Sequence, residues 1–146
     1  KKVEQLSRVS SFALFSQQRN EALPTLTQIS QAAWPGLDYA PEAYNAKKYG
    51  WGETLLIGWP KIWAFAIVRT KPKREGSNEP VAEVITMVIH PQARWRLAEA
   101  LQAVESFAVS QNAEQIDLSV NAVDGQTLQS VLEYGFRVNR VMLRMV

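Results

Sequence analysis

A chain of 146 residues with 47% hydrophobic and 21% charged residues is sized for one globular domain with a real core, expected to span 1–146. With 16 Lys+Arg against 14 Asp+Glu the net charge is +2, too even a balance for the basic face of a nucleic-acid binder. Cysteine is absent and His90 is the only histidine, so disulfides, a thiolate nucleophile, a Ser-His-Asp triad and a Cys- or multi-His metal site have no support, and no metal is expected.

The first element is a strand in "SSFALFS" (10–16). In "NEALPTLTQISQAAW" (20–34), Leu23, Leu26, Ile29, Ala33 and Trp34 recur at helical spacing behind Asn20 as a cap, with Pro24 in the tolerant first turn. "PGLDYAPEAYNAKKYG" breaks at Pro35-Gly36, restarts as a short helix after Pro41 and stops at Gly50. "ETLLIG" and "KIWAFAIVRT" are β-rich runs joined by "GWPK", a turn that predicts a hairpin. "KPKREGSNEP" (71–80) is a solvated loop, and "VAEVITMVIH" (81–90) a strand. Across 92–110, Leu97, Leu101, Val104 and Ala108 form one apolar helical stripe. "EQIDLSVNA" (114–122) alternates as a strand, "GQTLQSVLEYG" is a shorter helix closed by Gly135, and "FRVNRVMLRMV" reads as one long terminal strand.

The order is β-α-α-β-β-β-α-β-α-β, a mixed α/β (α+β) layer fold. A right-handed crossover should make 81–90 and 114–122 a parallel pair, while the hairpins are antiparallel. No apolar run approaches the roughly 20 residues that span a bilayer, and no signal-peptide core is visible. No membrane role and a cytoplasmic location are expected. The chain opens on "KKVEQL" without methionine, which leaves room for residues upstream.

"VIHPQARWRLAEALQAVESFA" (88–108) places Arg94 and Arg96 where a helix leaves a strand. Helix N-termini expose N–H groups and the positive end of the dipole, so two arginines there make a seat for phosphate. The same residues also suit a solvated first turn.

Element order, the "VIHPQAR" turn and the terminal "LEYGFRV" resemble the GNAT superfamily of acyl-CoA-dependent N-acyltransferases over about residues 11–146. The resemblance implies acetyl-CoA or another acyl-CoA as co-substrate. It places Val88 and Ile89 on the backbone that pairs with pantetheine, and 92–98, with Arg94, Arg96, Leu97 and Ala98, on the loop around the pyrophosphate. Glu83 matches the strand glutamate that deprotonates the acceptor amine in one branch of the family. A solvated strand carboxylate is the alternative for Glu83.

The departures are equally specific. The family's phosphate loop is glycine-rich, yet no glycine occurs between Gly76 and Gly125, so this loop is degenerate and arginine charge would have to replace amide donors. Asp124, Thr127 and Val131 stand where the family has Asn, Ala and the tyrosine that protonates the leaving thiolate, with Tyr134 three residues on. Asn121 is the candidate replacement for the lost Asn, a strand-end cap being the other reading. Trp34, Tyr39, Tyr44, Trp51, Trp59 and Trp63 crowd the half that would form the acceptor groove, though core packing or an apolar dimer face would use them too.

The function that follows is transfer of an acyl, nominally acetyl, group from acyl-CoA to an unidentified small-molecule or peptide amine. The alternative is a catalytically degenerate GNAT-like binding or dimerisation module, with a second copy or a second GNAT-like domain as partner. A plain ligand-binding α/β domain unrelated to CoA is a third.

Overall fold

The computed structural model describes residues 12–17, 20–58, 61–72, 80–113, 115–119, 132–139 and 142–145. Its strands are β1 (Phe12–Leu14), β2 (Glu53–Ile57), β3 (Ala64–Pro72), β4 (Pro80–Ile89), β5 (Gln115–Ser119), β6 (Phe136–Asn139) and β7 (Met142–Met145). The helices are α1 (Leu23–Ala33), α2 (Ala40–Tyr49) and α3 (Leu97–Ser110). The strands form one sheet in the order β1-β2-β3-β4-β5-β7-β6, in which β4 and β5 are parallel and every other pair is antiparallel.

The middle strands read as nearly unbroken apolar runs because both of their faces are covered. Leu55, Ile57, Ala66, Val68, Ala82, Val84, Met87 and Ile89 pack in one core with Leu97, Leu101, Val104 and Phe107 of α3. Leu56, Phe65, Ile67 and Val88 pack on the other side with Leu26 and Ile29 of α1 and Ala43 and Ala46 of α2. Helix α2 turns Ala40, Ala43 and Ala46 to the sheet, all buried, and side chains this small let a helix lie close against the strands. Gly50 ends it in the left-handed conformation at φ 68°, the expected C-terminal cap.

Three local expectations are corrected. Asn20 is not the cap of α1: residues Asn20–Ala22 form a 3-10 turn and the α-helix starts at Leu23, with Pro24 in its first turn, where a missing N–H leaves no bond unmade. Residues 92–96, expected within an α-helix, belong to a 3-10 helix (Pro91–Arg96) that leads into α3. The terminal run is a hairpin and not one strand, with Val138 opposite Leu143 and Asn139 opposite Met142. Residues 73–79 of the polar loop and most of the 125–135 helix lie outside the described residues.

Candidate active site

Among the described residues the parallel pairing is short. β4 is matched to β5 only from Val81–Gln115 to Val84–Leu118, while on its other edge the match to β3 continues to Ile89–Ala64. The β3–β4 register changes just beyond Val84: Val68 faces Val84 and the next residue, Ile67, faces Thr86, so Ile85 is an extra residue in β4. Such a bulge bends and twists the strand that carries it, here one residue beyond the last described β4–β5 pair. Among the described residues, the β5-side edge of β4 over 85–89 has no strand partner, and backbone groups on such an edge are open to an extended ligand. Val88 and Ile89 lie in this stretch with their side chains buried on opposite faces of the sheet.

The face toward α1 and α2 carries the polar chemistry. Glu83 lies on the paired stretch of β4, level with Asp117 of β5 and Arg69 of β3. Its Oε1 accepts from Arg69 Nε at 3.1 Å and Nη2 at 2.5 Å. Thr86 lies just past the bulge, buried, and its hydroxyl donates to Glu42 Oε1 at 3.2 Å. Glu42 comes from the first turn of α2 and is a carboxylate the sequence reading passed over. Its signal was weak: an acidic residue behind Pro41 fits a helix dipole without any further role.

At the end of β4 the helical run starts differently from a glycine loop. His90 is its cap, Nδ1 accepting from the Gln92 N–H at 3.2 Å, and the Ala93 N–H bonds the His90 carbonyl at 2.8 Å. Leu97 N–H bonds the Arg94 carbonyl in the same tight pattern. Amides that would face an anion in an open loop therefore already have partners. The Arg96 guanidinium lies 4.5 Å from the centre of the Trp63 ring and is forked onto Glu99, with Nη2 to Oε2 at 2.7 Å. Trp95 is 80% exposed and does not fill the opening, Leu97 is buried in the core, and Arg94 and Ala98 are exposed. The helix start thus offers positive charge on side chains, with the Gln92, Ala93 and Leu97 amides already bonded.

Tyr134 is tied to α3. Its hydroxyl donates to Glu105 Oε1 on α3 at 3.3 Å, and burial followed by the Glu105 charge pushes its pKa up to about 12. A phenol held there is a poor proton donor to a thiolate. The aromatic set is also divided: Trp34, Tyr39 and Trp51 pack on the α1–α2 side, whereas Trp63 belongs to the core under α3. Trp59, Asn121, Asp124, Thr127 and Val131 lie outside the described residues. Among those described, no group of His, Asp or Glu is arranged to hold a metal, and no helix is long and apolar enough to cross a membrane.

Among the described residues, a mixed sheet with one parallel pair and a bulge beside it, covered by α1 and α2 on one face and α3 on the other, makes a layered α/β fold. The solved structures agree that the chain has the GNAT fold. The ribosomal-protein-S18-alanine N-acetyltransferase from Escherichia coli superposes with a TM-score of 0.65 at 14% identity, covering 92% of this chain and 93% of that one. An aminoglycoside 6'-N-acetyltransferase from Acinetobacter baumannii gives 0.63 at 17% identity over 90% and 95%. A predicted acetyltransferase from Clostridium acetobutylicum, solved with acetyl-CoA, gives 0.61 at 14% identity over 89% and 91%. No family model matches the sequence, and no curated protein is detectably similar to it.

Proposed function

We propose that this chain is a single GNAT-like domain that transfers an acyl group from acyl-CoA to a primary amine. The observation that carries the reading is the far end of β4: among the described residues it is paired with β3 to Ile89 but with β5 only as far as Val84. The backbone of 85–89 would hold the pantetheine arm, and Arg94 and Arg96 would supply charge toward the pyrophosphate, with Leu97, Ala98 and Asn121 as the remaining contacts that the resemblance implies. Backbone N–H groups beside the bulge would stabilise the oxyanion as the amine attacks the thioester directly. The amine arrives as an ammonium without a lone pair, so a carboxylate must take a proton from it. Glu83 has that role from the resemblance, and Glu42 is a second carboxylate on the same face.

The start of α3 supports a second reading, a non-catalytic GNAT-like module. His90 occupies the Gln92 and Ala93 amides, and Glu99 occupies Arg96. Both readings meet one experiment. Acetyl-CoA at 100 times its dissociation constant should stabilise the protein by about 2.7 kcal/mol, and a panel containing neamine and an alanine-terminated peptide, chosen from the substrates of structurally similar enzymes, should yield an acetylated product by mass spectrometry. No shift in melting at millimolar acetyl-CoA would reject the first reading and leave the second.

A further inference from the structure

We infer that Glu42 of α2, and not the strand carboxylate Glu83, takes the proton from the acceptor ammonium, with Thr86 as its positioning residue. This rests on the acyltransfer reading and assigns a step within it. Place is the first argument. Glu83 is level with Asp117, where β4 and β5 are still paired, so its neighbour across the β5 side is another strand. Thr86 lies past the bulge, where β4 has no β5 partner among the described residues, and it is Thr86 that the Glu42 carboxylate reaches, at 3.2 Å.

Partners are the second argument. Glu83 Oε1 carries two N–H bonds from Arg69, so a proton arriving there is added against a guanidinium charge. Among the described residues, the Glu42 carboxylate has one hydrogen-bond partner, a neutral hydroxyl, and no cation. Asp38, the other carboxylate at this end of α2, has both oxygens engaged: Oδ1 by the Ala40 N–H at 3.0 Å and Oδ2 by the Thr27 hydroxyl at 3.2 Å. Asp117 is buried on the paired stretch of β5.

Rigidity is the third. Thr86 is only 7% exposed on a central strand, and Ala43 and Ala46, one and four residues along from Glu42, are fully buried against the sheet. One Glu42 oxygen is thereby fixed by the strand while the other can meet a ligand, the arrangement a base needs for a proton that moves only in the transition state. The step balances as follows. Glu42 accepts one proton from the ammonium, and the nitrogen lone pair forms the N–C bond to the acyl carbon. The C–S bond then breaks with its electron pair on sulfur, and the second nitrogen proton passes to that thiolate. Glu42 returns its proton to water.

The test compares wild type, Glu42→Gln, Thr86→Val and Glu83→Gln, using acetyl-CoA and the amine of the panel that turns over fastest, from pH 6 to 10, together with acetyl-CoA binding by calorimetry. Glu42→Gln should lower kcat by about 10²–10⁴ and leave acetyl-CoA affinity within about twofold, which also reports that the variant is folded. Its residual rate should climb about tenfold per pH unit up to the acceptor's own pKa, because only pre-formed free amine reacts. Thr86→Val should lower kcat by less and keep the wild-type shape of the profile. A wild-type pH profile in Glu42→Gln, or the steep profile in Glu83→Gln instead, overturns the assignment and leaves acyltransfer standing. A wild type that binds no acetyl-CoA or acetylates no amine overturns acyltransfer and this assignment with it.

Discussion

Arg96 and Glu99 form a forked ion pair at the head of α3, with guanidinium nitrogens 2.7 to 3.2 Å from the carboxylate oxygens. In the proposed acyltransfer reading Glu99 competes with the cofactor's pyrophosphate for this cation, whose guanidinium also lies 4.5 Å from the Trp63 ring. Glu99→Gln removes the competing charge and keeps the side chain's size. Because both partners are about a third exposed, the pair contributes about 0.2–1 kcal/mol, so the variant should bind acetyl-CoA about 1.4- to fivefold more tightly by calorimetry. Equal or weaker binding would mean that Arg96 does not face the phosphates.

His90 caps the helical run through Nδ1, which accepts the Gln92 N–H. Alanine leaves that amide to water alone, and His90→Ala should lower stability by about 1 kcal/mol in urea denaturation. Asparagine offers a side-chain oxygen at a similar reach, so His90→Asn should recover most of the loss. If both substitutions cost the same, the ring acts through packing and not as a cap.

Gly58 ends β2 at φ +125°, and a Cβ there would sit 2.5 Å from Trp63 Cδ1 and 2.9 Å from Nε1, against the Lys61 carbonyl as well. Trp63 is 9% exposed and covered by Arg96, so it has little room to move. Gly58→Ala combines backbone strain with a clash and should destabilise by at least about 2 kcal/mol. Gly36, at φ +91° with open space around the same vector, supplies the comparison: Gly36→Ala carries strain alone and should be the milder of the two.

Periodicity made most of the fold legible. The stripe Leu97, Leu101, Val104 and Ala108 does face the core, and 81–90 and 114–122 do contain the parallel pair. The terminal hairpin was readable too, in a detail that continuous apolar character hid: Phe136 and Val138 are at even positions, Leu143 and Met145 at odd ones. Such a change of phase is what a two-residue turn between paired strands produces. The bulge at Ile85 was not legible, since no glycine or proline marks it. Glu42 was hidden for a different reason. Its partner, Thr86, is 44 residues away, and nothing local distinguishes a carboxylate aimed at a strand from one at a solvated helix start.

Tyr134 gives the alkaline limb of stability a defined shape. Its phenol is raised from 10.0 to about 12, first by burial and then by the Glu105 charge, whose oxygen it also bonds. Below pH 10 the group is protonated in both the folded and the unfolded chain, and its contribution to stability is fully present. Between about 10 and 12 the unfolded phenol loses its proton while the folded one keeps it, so the folded state binds more protons and stability falls as pH rises. Above the folded value both states are ionised and the contribution is gone. Denaturant unfolding measured at intervals from pH 9 to 12 should therefore show a steeper decline in wild type than in Tyr134→Phe, and absorbance at 295 nm should show one tyrosine titrating late in wild type and none so late in the variant. Parallel declines would place the Tyr134 hydroxyl in water and away from Glu105.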